Sequence, residues 1–134
     1  RALRDAEAAD LPELSWEELA RGDGRDGRPI LIGMEGIVYD VSSERKFYGP
    51  AGRYRKLAAR DSTVALALTS LKDADIAAAG DTSVLDDAGR MMLAERVLFF
   101  ESKYASVGRL PKVPAGEGGP SLTGAEGEGE AAGE

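Results

Sequence analysis

Two short apolar runs, Ile30-Leu31-Ile32-Gly33-Met34 and Ile37-Val38-Tyr39-Asp40-Val41, stand out from a chain of 134 residues. Both are rich in β-branched residues and are parted only by Glu35-Gly36, which predicts a two-stranded hairpin. Glutamate adopts positive φ poorly, so the pattern predicts a turn in which Gly36 alone is left-handed, rather than a type I′ turn. Upstream, Ser15-Trp16-Glu17-Glu18 has the spacing of a capping box and predicts a short helix to about Arg21. Gly22 to Gly27 is a polar turn cluster. Downstream the period becomes helical. A helix is expected from near Arg53 to a break at Arg60-Asp61, and a second over Ser62 to Thr69 with Asp61 as its N-cap. A loop then runs through Gly80. A longer helix begins at Asp81 or Ser83, reaches about Tyr104 and is ended by Gly108. Its expected buried face is Leu85, Ala88, Met92, Val97 and Phe100.

Strands early, helices later and one small sheet make an α+β domain, in which helix pairs form the walls of an apolar cleft. Residues 1–10 read as a flexible segment, 11–110 as the domain, and 111–134 as a disordered, Gly/Glu-rich acidic tail.

Charge sharpens this outline. The chain carries 17 basic and 24 acidic residues. Yet residues 46–60, Lys-Phe-Tyr-Gly-Pro-Ala-Gly-Arg-Tyr-Arg-Lys-Leu-Ala-Ala-Arg, hold five cations and no acid. Gly49, Pro50 and Gly52 forbid regular structure there and let backbone approach a ligand closely. Cations, two tyrosines and a glycine loop together suit an anionic, planar or metal-bearing ligand. With no His and no Cys, a metal would need oxygen, thioether or amine ligands. Met34, Met91 and Met92 are the thioethers, and methionine at such positions is ordinarily core filler.

A net charge of −7 argues against a nucleic-acid binder. Asp86-Asp87 and the tail acids lack calcium-loop spacing. There is no nucleophile elbow, catalytic triad or phosphate-binding glycine motif, which points to a non-enzyme. No apolar run approaches the roughly 18 residues of a membrane span. The first residue is Arg rather than Met, so the chain reads as a fragment or processed form, from which any anchor or signal would have been cut away. From the residues alone, Tyr54 is equally a half-buried brace of its glycine loop, Tyr48 a packing residue under the turn, and Lys103-Tyr104 a dipole-favouring cation beside a core aromatic.

The blocks at residues 30–42, Lys46-Phe47-Tyr48-Gly49-Pro50-x-Gly52-x-Tyr54, Ala59-Arg60-Asp61-Ser62 and Lys103-Tyr104-x-x-x-Gly108-x-Leu110 together resemble the membrane-associated progesterone receptor family. The resemblance covers roughly residues 11 to 110. It implies a cytochrome b5-like fold and a non-covalent site for ferric haem b. Tyr54 matches the position whose phenolate holds the iron in a five-coordinate site, and Tyr48, Lys103 and Tyr104 match positions that hydrogen-bond around the haem. It further implies links to haem and sterol metabolism and to haem-thiolate mono-oxygenases. The domain itself would be soluble, on a parent tethered to the endoplasmic reticulum or another endomembrane. Stacking of two open haem faces would give a homodimer. The alternative function is a haem-independent module for a sterol, lipid or partner protein. Two departures bear on pocket shape: Arg53 stands where many members have Pro or a small residue, and Arg96-Val97 where many have Trp.

Overall fold

A computed structural model describes residues 9–111. The expected segment at 1–10 falls mostly outside the described residues, and the tail expected at 111–134 almost entirely so.

The two apolar runs form β1 (Leu31–Met34) and β2 (Ile37–Asp40), antiparallel with Met34 opposite Ile37. The turn between them corrects the sequence expectation: Glu35 (φ 53°) and Gly36 (φ 81°) are both left-handed. A two-residue connection with this register needs the type I′ twist. The Glu35 amide is held there by the Thr63 hydroxyl at 2.9 Å, so a tertiary bond stabilises what the residue disfavours.

A third strand, β3 (Ala105–Arg109), pairs antiparallel with β2 and completes the order β1-β2-β3, with a bulge between Val38 and Tyr39. Gly108 therefore lies inside a strand and does not end a helix. Both sheet edges are covered, which removes the hazard of open strand edges. Along β3 the Leu14 amide donates to Arg109 O and the Arg109 amide to Pro12 O, each at 2.9 Å. Along β1 the Gly33 amide donates to Arg60 O at 2.9 Å and the Ser62 amide to Gly33 O at 2.8 Å.

The sheet separates two apolar layers. Leu31 and Val38 point to one face, where they meet Leu19 and Leu110 with Leu14 and Trp16 alongside. Leu19 comes from α1 (Trp16–Ala20), whose capping box is present as expected: the Glu18 amide donates to Ser15 Oγ and the Ser15 amide to Glu18 Oε1. Ile32, Met34, Ile37 and Tyr39 point to the other, larger core. Alternation of this kind on a sheet buried on both faces is what makes the strands read as continuous apolar runs.

The larger core is closed by α3 (Thr63–Leu68), α4 (Asp73–Ala77) and α5 (Asp87–Lys103). A single-turn helix, α2 (Arg45–Tyr48), follows the hairpin. The helix expected from Arg53 is replaced by a 3₁₀ turn over Arg55–Leu57, with Ala58 extended and Ala59 left-handed (φ 66°). The Ala59 amide donates to Leu31 O at 2.7 Å. Running the chain beside β1 thus overrides the helical propensity of Leu-Ala-Ala.

Asp61 caps α3 from one residue earlier than the formal N-cap, Ser62: its carboxylate accepts from the Thr63 amide at 3.1 Å and the Thr63 hydroxyl at 2.6 Å. The loop expected before Gly80 contains α4, whose Ile76 enters the core. The long helix starts later than expected. A 3₁₀ turn over Thr82–Val84 ends in extended Leu85, and Asp86 caps α5 through the Gly89 amide. Its buried positions are Gly89, Leu93, Val97 and Phe100, whereas Ala88 and Met92 are exposed. Met91-Met92-Leu93 and Val97-Leu98-Phe99-Phe100 permit more than one helical register, and the later start selects this one.

Candidate functional site

The glycine loop is a backbone-bonded unit. The Gly49 amide donates to Arg45 O (2.8 Å), Gly52 to Gly49 O (2.9 Å), Tyr54 to Phe47 O (2.8 Å) and Leu57 to Tyr54 O (3.0 Å). Arg45 Nη1 ties its start to Gly24 O, and Ser62 Oγ ties its end to Leu57 O. At Gly52 a Cβ would lie 2.1 Å from Phe47 O, so only glycine lets the two arms of the loop close. That closure sets the ring of Tyr54 against Tyr48 and Phe47, with centroids 6.0 and 6.1 Å apart. Tyr48 and Tyr54 are both half-buried and pack on the larger core.

The facing side comes from the C-terminal end of α5. Tyr104 is buried and packs edge-on to Phe100 at 5.0 Å, which in turn meets Tyr39 at 5.4 Å. Lys103 Nζ lies 5.6 Å from the Tyr104 centroid and 5.5 Å from that of Phe99. It also pairs with Glu44 Oε2 at 2.6 Å, which fastens the end of α5 to the turn preceding α2.

The electrostatics distinguish the tyrosines. Burial pushes the Tyr48 phenol up to about 12; the Tyr104, Tyr54 and Glu44 groups add to this, and Arg96 opposes it. The Tyr104 phenol is likewise raised, by burial first and by Glu44 second. Tyr48 and Tyr104 are therefore neutral hydroxyls at neutral pH and can donate hydrogen bonds. Tyr54 differs in setting: the Arg53 guanidinium sits over its ring at 5.2 Å.

All four residues singled out from the sequence, Tyr48, Tyr54, Lys103 and Tyr104, thus fall in one region between the glycine loop and the end of α5. Two others were missed. Glu44 lies just outside the basic window, and its role as partner of Lys103 needs the fold to be seen. Arg96 registered only as a departure from the family pattern. In the structure its guanidinium donates to Leu66 O (3.2 Å) and Thr69 Oγ1 (2.7 Å), satisfying the C-terminal end of α3, while its charge acts on Tyr48. Met34 is buried in the core, and Met91 and Met92 are exposed on α5. Among the described residues no cluster of three or more acidic side chains could hold a metal ion, and no helix is long and apolar enough to cross a membrane.

Haem suits the donor set in this region. The loop offers phenol oxygens and lysine amines but no imidazole or thiolate, Tyr54 is half-buried and flanked by Arg53 and Arg55, and aromatic rings line both sides.

Comparison with known proteins agrees with this geometry. The family model described as "Cytochrome b5-like Heme/Steroid binding domain" matches residues 15–104. Membrane steroid-binding protein 1 of Oryza sativa subsp. japonica is 39% identical over 84% of this chain and 49% of its own length. Membrane-associated progesterone receptor component 2 of Rattus norvegicus is 39% identical over 83% of this chain and 54% of its own. The cytochrome P450 regulator dap1 of Schizosaccharomyces pombe is 36% identical over 69% of this chain and 59% of its own. The chain thus spans about half the length of the curated relatives it matches. A solved structure from Arabidopsis thaliana, described as having a cytochrome b5 like fold, superposes with a TM-score of 0.63 at 31% identity, covering 76% of this chain and 93% of the other. The chain belongs to the cytochrome b5-like heme/steroid-binding domain family and, within it, to the membrane-associated progesterone receptor group.

Proposed function

We propose that this domain binds ferric haem b non-covalently, with the Tyr54 phenolate oxygen as the iron's protein ligand. The observation that carries the reading is the pairing of two half-buried tyrosines in the loop: Tyr54 beneath the Arg53 guanidinium, and Tyr48, whose phenol burial keeps protonated. Cations stabilise an adjacent phenolate, and phenolate favours the ferric state. Tyr48 supplies a neutral hydroxyl from a ring packed 6.0 Å from that of Tyr54. Lys103 and Tyr104 present an ammonium and a neutral hydroxyl from the facing side, suited to the carboxylates and edge of a porphyrin. Glu44 holds Lys103 in place while no ligand is present. Bound there, the haem would supply a Lewis-acidic iron, which a second copy of the domain or a partner could meet.

The test is a ferric haem titration followed by visible absorption, run beside Tyr54→Phe. The expected wild-type result is a saturable one-to-one complex with high-spin tyrosinate bands. The variant should lose those bands and bind at least about tenfold more weakly, as expected when a direct ligand is removed. A Tyr54→Phe protein with the full wild-type spectrum would refute the assignment.

The relatives' names extend the proposal to partners. The rice relative is named for steroid binding and the fission yeast relative as a regulator of cytochrome P450. We carry both across as roles for this domain: presentation of haem to, or contact with, haem-thiolate mono-oxygenases, and binding of a sterol. The sterol reading draws on the continuous aromatic wall of Tyr39, Phe100, Tyr104 and Phe99. Sterol binding by the apoprotein with stoichiometry unaltered by haem would place the two ligands in separate sites; mutual exclusion would place them in one.

A further inference from the structure

Apart from Arg53, which also lies over the Tyr54 ring, the loop that carries Tyr54 has an outer surface that the proposed haem ligation does not use. Lys46, Phe47, Arg53 and Arg55 are all exposed there. They share one place in the fold, because the Tyr54 amide bonds to Phe47 O, Lys46 Nζ lies 5.3 Å from the Phe47 centroid, and Arg53 sits over Tyr54. Among the described residues none of the ion pairs involves Lys46, Arg53 or Arg55. Their charge is therefore uncompensated locally, in a chain whose 24 acids all lie outside the 46–60 window. Phe47 is left 36% exposed, and across the tyrosine cluster Phe99 is 47% exposed, next to Lys103. Aromatic rings interleaved with cations, on a basic rim of an acidic molecule, match the chemistry of a headgroup layer: cations meet anionic lipid while phenyl rings enter the acyl boundary.

We propose that this rim is a seat for an anionic lipid bilayer, which the domain meets with its tyrosine cluster facing the membrane. The asymmetry of charge orients the molecule, since outside residues 46–60 the chain has 24 acids against 12 cations. Docked this way, the cluster opens onto the bilayer, and an apolar ligand can pass between membrane and site without crossing water. An acidic protein surface would satisfy the cations equally well but leaves the exposed phenyl rings unexplained.

The docking does not depend on iron ligation, so its test separates from that of the haem reading. The full chain, without haem, is sedimented with vesicles of phosphatidylcholine alone or mixed with phosphatidylserine, at low and physiological salt. The wild type should bind only the mixed vesicles and weaken as salt rises. Lys46→Glu/Arg53→Glu should lower the affinity more than about tenfold, and Phe47→Ser should weaken it separately. Arg21→Glu/Arg90→Glu, with the same change of net charge elsewhere, should bind as wild type, as should Tyr54→Phe. The double variant at 46 and 53 keeps the Arg55–Gly52 bond within the loop, and its circular dichroism should match wild type. Equal binding to neutral vesicles, no binding to either, or an equal loss in the Arg21/Arg90 variant would overturn the proposal. So would capture by soluble polyglutamate without vesicle binding, which would assign the rim to an acidic protein.

Discussion

Tyr48 and Tyr54 have the same side chain six residues apart, and the fold gives them different neighbours. Tyr48 stands at the end of a helical turn, beside Tyr104 and Glu44, where a second negative charge is unwelcome. Its folded pKa is raised from 10.0 to about 12. A group raised in this way contributes stability that is complete below its unfolded value and is lost as pH climbs through the folded one. The wild type should therefore show one tyrosine ionising near pH 12 in an ultraviolet titration, together with alkaline unfolding. Tyr48→Phe should remove that step and move the unfolding midpoint to higher pH. If the last phenol to ionise persists in the variant, the protonated donor has been misassigned. The sequence made both tyrosines visible as part of one block. Residue type alone could not separate them and only the family resemblance did; the raised pKa of Tyr48 comes from burial and from neighbours, Tyr104 and Glu44 among them, that the fold brings together. Asp61 shows the same limit. Its role at the start of α3 was legible from residue type and position, but the burial that raises its carboxyl pKa was not.

At the scale of elements, what the sequence disclosed and what it hid divide by the source of stability. The capping box and the hairpin strands were legible because local chemistry and the apolar pattern agree there. β3 was hidden because Ala105–Arg109 carries one strong strand former, Val107, and the segment is a strand by virtue of the edge that β2 offers it. The helix expected after Arg53 failed because residues 59–62 are recruited to the free edge of β1. In α5 the apolar residues occupy nearly every direction, so the period was ambiguous and the buried register was misplaced. The structure gives that register an anchor in Phe100, 2% exposed and set edge-on between Tyr39 and Tyr104. Phe100→Ala should cost about 3–5 kcal/mol in urea unfolding. Haem affinity should fall with it, because Tyr104 loses the ring that positions it. A loss of under about 1 kcal/mol, in the range of surface substitutions, would mean that α5 can rotate to bury Phe99 or Met92 in its place.

For the whole molecule, the central fact is that a three-stranded sheet is finished at both edges by chain that is not strand. The β1 edge is covered from inside the matched family region, by residues 59–62. The β3 edge is covered by residues 11–14, just ahead of the match at 15–104. There Arg109 works as a clasp: its Nε donates to Leu11 O at 3.1 Å and its Nη1 pairs with Glu13 at 3.0 Å, while Leu14 packs on the smaller core. Removing residues 1–14 deletes two backbone bonds to β3 and uncovers apolar surface at Leu110 and Val38. Bonds of this kind contribute about 1 kcal/mol each, and with the lost burial of Leu14 the truncation should cost about 2–4 kcal/mol. That corresponds to a fall in Tm of roughly 10 °C or more for a domain of this size. The exposed edge should also make the truncated protein associate, as strand edges do when uncovered. Sedimentation across a concentration series would then show reversible growth that the intact chain lacks. Haem binding would weaken as well, because the truncation removes Leu11, which packs on the same larger core as Tyr48 and Tyr54. An unchanged Tm and a monomer at every concentration would show that the chain from residue 15 onward is self-sufficient, and that the Arg109 clasp is an ornament of the edge rather than part of its support.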